Sequence, residues 1–165
     1  QLDRFLLKIT MPYPSAAAER GMLDRYVHGF RADDASTYGV TPFIARGELE
    51  AMRAAAAAVH VEPAVRDYIV TIVRATRQDA AFTLPASPRA AVALFSAARA
   101  HAVVEGRDFV IPDDVKDLAV PVLRHRLRLT AEAEVEGQST DAHITLLLKT
   151  IEVPRLDART SAAPA

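Results

Sequence analysis

Apolar residues recur along this chain mostly at helical spacing. Leu23, Tyr26, Val27 and Phe30 fall at i, i+3, i+4 and i+7, which places them on one face of an α-helix. Ser15 follows Pro14 and is placed to cap that helix, since its hydroxyl can accept from a first-turn N–H. Residues 31–41 are polar and without period, and read as a surface loop. A second helix is clearest over 48–58, an Ala-rich stretch with Leu49 and Met52 turned inward. Its start lies at Thr41-Pro42 or nearer Gly47. Val59-His60-Val61 reads as a short extended link. Glu62-Pro63 then opens a third helix with Val65, Tyr68, Ile69 and Ile72 as its core stripe. Proline suits the first helical position, where its missing N–H would have no partner anyway.

Residues 79–86 read as a loop. Ser87-Pro88-Arg89 starts a long helix to about Glu105, with Ala91, Leu94, Phe95 and Ala98 on one face and Gly106 as its stop. Phe109-Val110-Ile111 predicts a short strand. Pro112-Asp113-Asp114 opens a further helix, in which Val115, Leu118, Ala119 and Val122 repeat at i, i+3, i+4 and i+7. Charged and apolar residues alternate from Arg126 to Thr130, the pattern of a half-buried strand that could pair with 109–111. A last helix over about 140–151 presents Ile144, Leu147, Leu148 and Ile151. Before all of these, Phe5–Met11 is a β-like apolar run ended by Pro12 and Pro14. Its natural place is the edge of a sheet in a longer protein, so residues 1–14 read as the end of another domain. Residues 15–152 form the main domain, and 153–165, rich in Ala, Pro, Ser and Thr, a disordered tail. The expected fold is mainly α, a helical bundle with a short N-terminal strand and a minor β element.

Composition narrows the function without choosing it. At 165 residues the chain can bury one real core. Its 20 basic and 21 acidic residues give a net charge of -1, so nothing in the balance calls for nucleic acid or an anionic membrane. Cysteine is absent, which excludes disulfides, thiol nucleophiles and cysteine metal sites. No apolar run reaches the roughly 20 residues that span a bilayer. The five histidines are dispersed, without metal-ligand spacing, and no metal site is expected. The sequence also holds no Gly-rich phosphate loop of the Walker type and no nucleophile elbow.

Two arginines stand out by context. Arg4 precedes the apolar run; a guanidinium there could reach across a subunit boundary to a triphosphate, or simply pair with Asp3 or another neighbour at the surface. Arginine suits the first task because it stays charged and can bond two phosphate oxygens at once. Arg89 sits two residues past Ser87. A helix N-terminus favours anions, so Ser87-Pro88-Arg89 is either a phosphate-facing group or a plain capped helix with a solvated arginine. Asp113-Asp114 reads as first-turn acids that suit the helix dipole. Arg124-His125-Arg126-Leu127-Arg128 is the one dense basic patch, and an alternating strand with one wet face accounts for it.

Several segments in fixed order resemble the C-terminal part of MoxR-family AAA+ ATPases. They are Gln1-Leu2-Asp3-Arg4-Phe5-Leu6 with Tyr13-Pro14, Val59-His60-Val61, Asp67-Tyr68-Ile69-Val70 with Arg74-Ala75-Thr76-Arg77, and Ala86-Ser87-Pro88-Arg89-Ala90. Glu105-Gly106-Arg107-Asp108-Phe109, Pro112-Asp113-Asp114-Val115 and Val122-Leu123-Arg124-His125-Arg126-Leu127 continue the series. The resemblance implies a helical AAA+ lid following an ATP-binding core that carries the Walker motifs. It implies that Arg4 is an arginine finger acting on a neighbouring subunit's ATP, and that Arg89, with Ser87 beside it, contacts ATP phosphates as the second sensor. ATP and Mg2+ would be the cofactors, held mainly by the core. The partners implied are further copies in a cytoplasmic ring, usually a hexamer, with a von Willebrand factor A-domain protein or a metalloenzyme client. Two positions depart from the family pattern: Pro85 stands where a glycine is usual, and Ile111 where a capping Thr is common. Two other readings differ in class: a helical interaction module that works without nucleotide through 48–58 or 124–128, and a nucleic-acid-binding helical domain.

Overall fold

The computed structural model describes residues 1–45 and 47–155. They fall into two compact units, one made of Gln1–Ile9 with the residues from Arg53 onward, the other of Thr10–Met52.

In the Thr10–Met52 unit, α1 (Ala16–Val27) begins where expected, with the Ser15 hydroxyl accepting from Ala18 N at 3.2 Å. The loop after it is more ordered than its polar sequence suggests. Phe30 stacks on Tyr38 at 5.4 Å and meets Tyr26 edge-on at 5.2 Å. Asp34 caps a 3-10 turn over Ala35–Tyr38, and Thr37 Oγ1 accepts from Arg31 N at 3.1 Å. Yet none of the unit's described residues is buried. The α1 stripe of Leu23, Tyr26 and Val27 is exposed. α2 (Glu48–Ala58) starts after Gly47 rather than at Thr41-Pro42. Its Leu49 and Met52, expected inward, are 46% and 50% exposed.

The other unit holds the core. α3 (Pro63–Gln78) buries Val65, Tyr68, Ile69 and Ile72, the expected stripe, together with Val73 and Thr76. α4 (Pro88–Val104) packs on α3 and most extensively on α5 (Pro112–Leu123). α4 buries Leu94 and Ala98 as expected, but its other buried residues are Ala90, Ala93, Ala97 and Ala102, while Ala91 and Phe95 are only half-buried. Alanines let two helix backbones approach closely, so the α4 contact face is set by small side chains rather than by the larger apolar ones. α4 ends at Gly106, whose φ of +71° is a conformation glycine adopts without strain. Arg107 N then reaches back to Ala102 O at 2.8 Å, and Gly106 N to Val103 O at 3.0 Å, the paired bonds that close a helix C-terminus.

The β elements differ from expectation. β1 (Phe82–Leu84) lies within the segment read as a loop and pairs antiparallel with β2 (Arg128–Leu129), Phe82 opposite Leu129 and Leu84 opposite Arg128. Phe109 instead bridges His60 in parallel, through His60 N to Asp108 O (2.8 Å) and Val110 N to His60 O (3.0 Å). The 126–130 segment therefore does not pair with 109–111. A short α6 (Ala131–Val135), capped by Thr130, precedes α7 (Thr140–Thr150), which is capped by Ser139 and buries Ile144.

The N-terminal strand is also absent among the described residues: Leu2–Arg4 form a 3-10 turn and residues 5–15 carry no strand. The turn packs on α4, and Lys8 N donates to Pro121 O of α5 at 2.8 Å. Residues 153–155 have no regular structure; the rest of the expected disordered tail, 156–165, lies outside the described residues. Among those described, no helix is long and apolar enough to cross a membrane.

Candidate functional site

The candidate residues Arg4, Ser87 and Arg89 belong to one unit of the structure. The Ala86-Ser87 turn that starts α4 is held from behind by the last turns of α3. The buried Thr76 hydroxyl accepts from Ala86 N at 3.1 Å while donating to Val73 O at 2.7 Å. Arg77 Nε donates to Ala86 O at 3.0 Å. Both polar groups of the Ala86 backbone are thus tied to α3, which fixes where α4 begins and where its first-turn side chains emerge. Pro85, exposed, sits immediately before this tether.

Arg89 is exposed in the first turn of α4 and forms no ion pair or hydrogen bond with the described residues. A cation there opposes the positive end of the helix dipole. Arg4 is exposed as well, its guanidinium 5.3 Å from the Phe5 ring centroid. It makes no ion pair with Asp3, the partner its sequence context offered. Exposure alone selects nothing, because Arg20, Arg53, Arg66 and Arg74 are exposed too; what distinguishes Arg4 and Arg89 is the structure around them.

Asp3 is engaged elsewhere. Ser87 Oγ donates to its carboxylate at 3.0 and 3.2 Å, and Arg126 Nε donates to Asp3 Oδ1 at 3.2 Å. Ser87 occupies the N-cap position of α4 without capping it; its hydroxyl is turned to Asp3 instead. Arg126, read from sequence as part of an alternating strand, is only 4% exposed. Residues 124–126 form a turn after α5, and the strand proper begins at Arg128, so the period-2 rule that placed Arg126 on a wet face does not apply. The basic patch is dispersed: Arg124 pairs with Asp141 at 2.7 Å, Arg126 is interior, and Arg128 is exposed. Burial pushes the Arg126 guanidinium below its usual value, the Asp3 charge and hydrogen bond oppose this, and the Arg89 charge adds to the fall. Two cations thus share the start of α4 with one carboxylate. An open cleft of about 390 Å³ beside Asp3, Lys8, His125 and Arg128 is lined by neither Arg4 nor Arg89.

A second polar centre was missed in the sequence. Asp114, read as one of two equivalent first-turn acids, is 2% exposed. It accepts two bonds from Arg107 (2.5 and 2.8 Å), one from Ile111 N (2.9 Å), and lies 2.9 Å from His101 Nδ1. Ile111 has no capping oxygen, but the Asp114 carboxylate returns to its N–H, so half of a capping box survives. Among the described residues no group of three or more His, Asp or Glu side chains could hold a metal ion.

Residues 74–146, from the end of α3 into α7, match the AAA lid domain. Chaperone MoxR1 of Mycobacterium tuberculosis is 37% identical over 96% of this chain, and Protein MoxR of Paracoccus denitrificans 31% over 92%. The chain belongs to the MoxR family of AAA+ ATPases. A relative of Bacillus subtilis, the uncharacterised protein YeaC, is 36% identical over 93% of it. A crystal structure of a Cytophaga hutchinsonii protein taken to be an ATPase superposes with a TM-score of 0.76 at 29% identity, covering 93% of this chain. The chain spans about half the length of these relatives, 42% to 49%. In this MoxR chain the lid match includes Ser87, Arg89 and Arg126, whereas Arg4 precedes it.

Proposed function

We propose that this chain is the lid part of an ATP-driven, chaperone-like ring, in which Arg89 contacts ATP phosphates and Arg4 acts as the finger toward a neighbouring subunit. The observation that carries the reading is Arg89: exposed, unpaired among the described residues, and set at the start of α4 on a turn tied to α3 by Thr76 and Arg77. A guanidinium held that way suits the charge on a transferring phosphoryl group, where positioned cations supply much of catalysis. Ser87 serves this site indirectly, by holding Asp3. On this reading residues 1–14 are the junction with an ATP-binding core and 15–152 the lid. The chain's own residues fit the phosphates of ATP; Mg2+ has no ligand cluster among the described residues and would be held by the core. The ring would be cytoplasmic and usually hexameric, working on a metalloenzyme client or with a von Willebrand factor A-domain partner.

The test is ATP hydrolysis by the protein that carries this chain, wild type beside Arg89→Ala. The expected fall is tenfold or more, about 1.4 kcal/mol in barrier; an unchanged rate overturns the sensor role. A nucleotide-independent interaction module is the second reading, favoured by the exposed Leu23, Tyr26 and Val27 on α1 and by Leu49 and Met52 on α2. It expects polar substitutions on those helices, and not Arg89→Ala, to abolish function.

A further inference from the structure

The two candidate arginines are joined by a third. The buried guanidinium of Arg126 has five N–H donors, and all five are used. Nε donates to Asp3 Oδ1 (3.2 Å); Nη1 donates to Leu6 O (3.0 Å) and to Val122 O; Nη2 donates to Asp3 O (3.1 Å) and to Phe5 O. Four of the five acceptors lie in residues 3–6, the segment that contains Arg4. Three of the four are backbone carbonyls, those of Asp3, Phe5 and Leu6, and a single side chain takes them all.

The other side of the junction is the end of α5. The last four carbonyls of a helix lack intrahelical partners, and here each is taken up. Val120 O accepts from Arg124 N, Pro121 O from Lys8 N, Val122 O from Arg126, and Leu123 O from the amides of Arg126 and Leu127. Two of the four are thus closed by the junction itself. A cation at a helix C-terminus is also favoured by the dipole. Beside it, His125 Nε2 lies 3.0 Å from Phe5 O, and Asp3 carries the connection to Ser87, two residues from Arg89.

We infer that Arg126 is a positioning residue that clamps the Arg4-bearing segment to the lid, so that Arg4 and Arg89 are carried on one body. The inference rests on the finger-and-sensor reading. A buried, fully bonded fork of this kind has no substitute in lysine, which offers three donors from a point charge.

The experiment uses the full ring-forming protein with ATP, comparing Arg126→Lys, Arg4→Ala and the double variant, with Asp3→Ala loosening the clamp from its more exposed side. Arg126→Lys is expected to lower kcat about tenfold or more while KM for ATP moves less than about threefold. The double variant is expected to be no slower than Arg4→Ala by more than about twofold, the non-additivity of residues acting as a unit. Amide exchange supplies a readout separate from turnover. The Lys8 amide should exchange about tenfold faster or more in Arg126→Lys and in Asp3→Ala, with amides inside α4 and α5 as protected as in wild type. Unchanged Lys8 exchange in both variants overturns the clamp. If Arg4→Ala is slow and its effect multiplies with that of Arg126→Lys, the coupling fails while the finger reading stands. If Arg4→Ala is silent, the finger reading fails and takes the coupling with it.

Discussion

Asp113 and Asp114 are indistinguishable as letters, yet one is solvated and the other is the most heavily bonded carboxylate described. Asp113 pairs with Lys116 at the surface, side-chain exposure 70%. Burial would push the Asp114 carboxyl up, but the hydrogen bonds from Arg107, the Ile111 amide and His101 together outweigh it and hold the group below the ordinary carboxylate value. A depressed carboxylate stabilises the fold above its unfolded pKa, and that contribution disappears as pH falls through the folded value. Asp114→Asn is therefore expected to cost about 3–5 kcal/mol near neutrality, as for a buried pair losing one partner. The gap from wild type should narrow below about pH 4, as read by thermal or urea unfolding across pH. A gap independent of pH would mean that lost packing, not charge, sets the cost. Ser87 shows the same limit of local reading: its place before Pro88 was legible, but its partner lies 84 positions away.

At the scale of elements, period and punctuation read well. The stripes of α3 and α5, the Pro63 and Pro112 starts, and the Gly106 stop all lie where the pattern put them. The α4 face was read less well, because alanine is too common in this chain for its spacing to mark a side. Which alanines are buried is decided by the helices packed against them. Ala98 is fully buried on α4, so Ala98→Leu is expected to destabilise by about 1–3 kcal/mol through overpacking, measured as a fall in the urea midpoint. A neutral result would show that α4 and α5 have room to separate. The β pairing was misassigned for a related reason. Three apolar residues at 109–111 have strand character but no preference among partners; in the structure Phe109 bridges His60, and β2 pairs with β1.

For the whole molecule, the ordered motifs identified the family. The purified 165-residue chain is expected not to hydrolyse ATP, since its sequence has no Walker-type loop and its described residues hold no carboxylate cluster for Mg2+. Phosphate release that survives substitution of both Arg4 and Arg89 by alanine would overturn this. The sequence by itself determined what depends on neighbours a few positions apart: helix periods, starts and stops, the absence of a thiol or a phosphate loop, and the candidate arginines. Only the tertiary structure decided which charges lie inside, where strands find partners, and that Asp3, Phe5 and Leu6 bond to Arg126 while no strand forms over 5–11. The reason is physical: burial and hydrogen-bond satisfaction are properties of groups brought together from distant positions, and an isolated stretch of sequence carries no record of them.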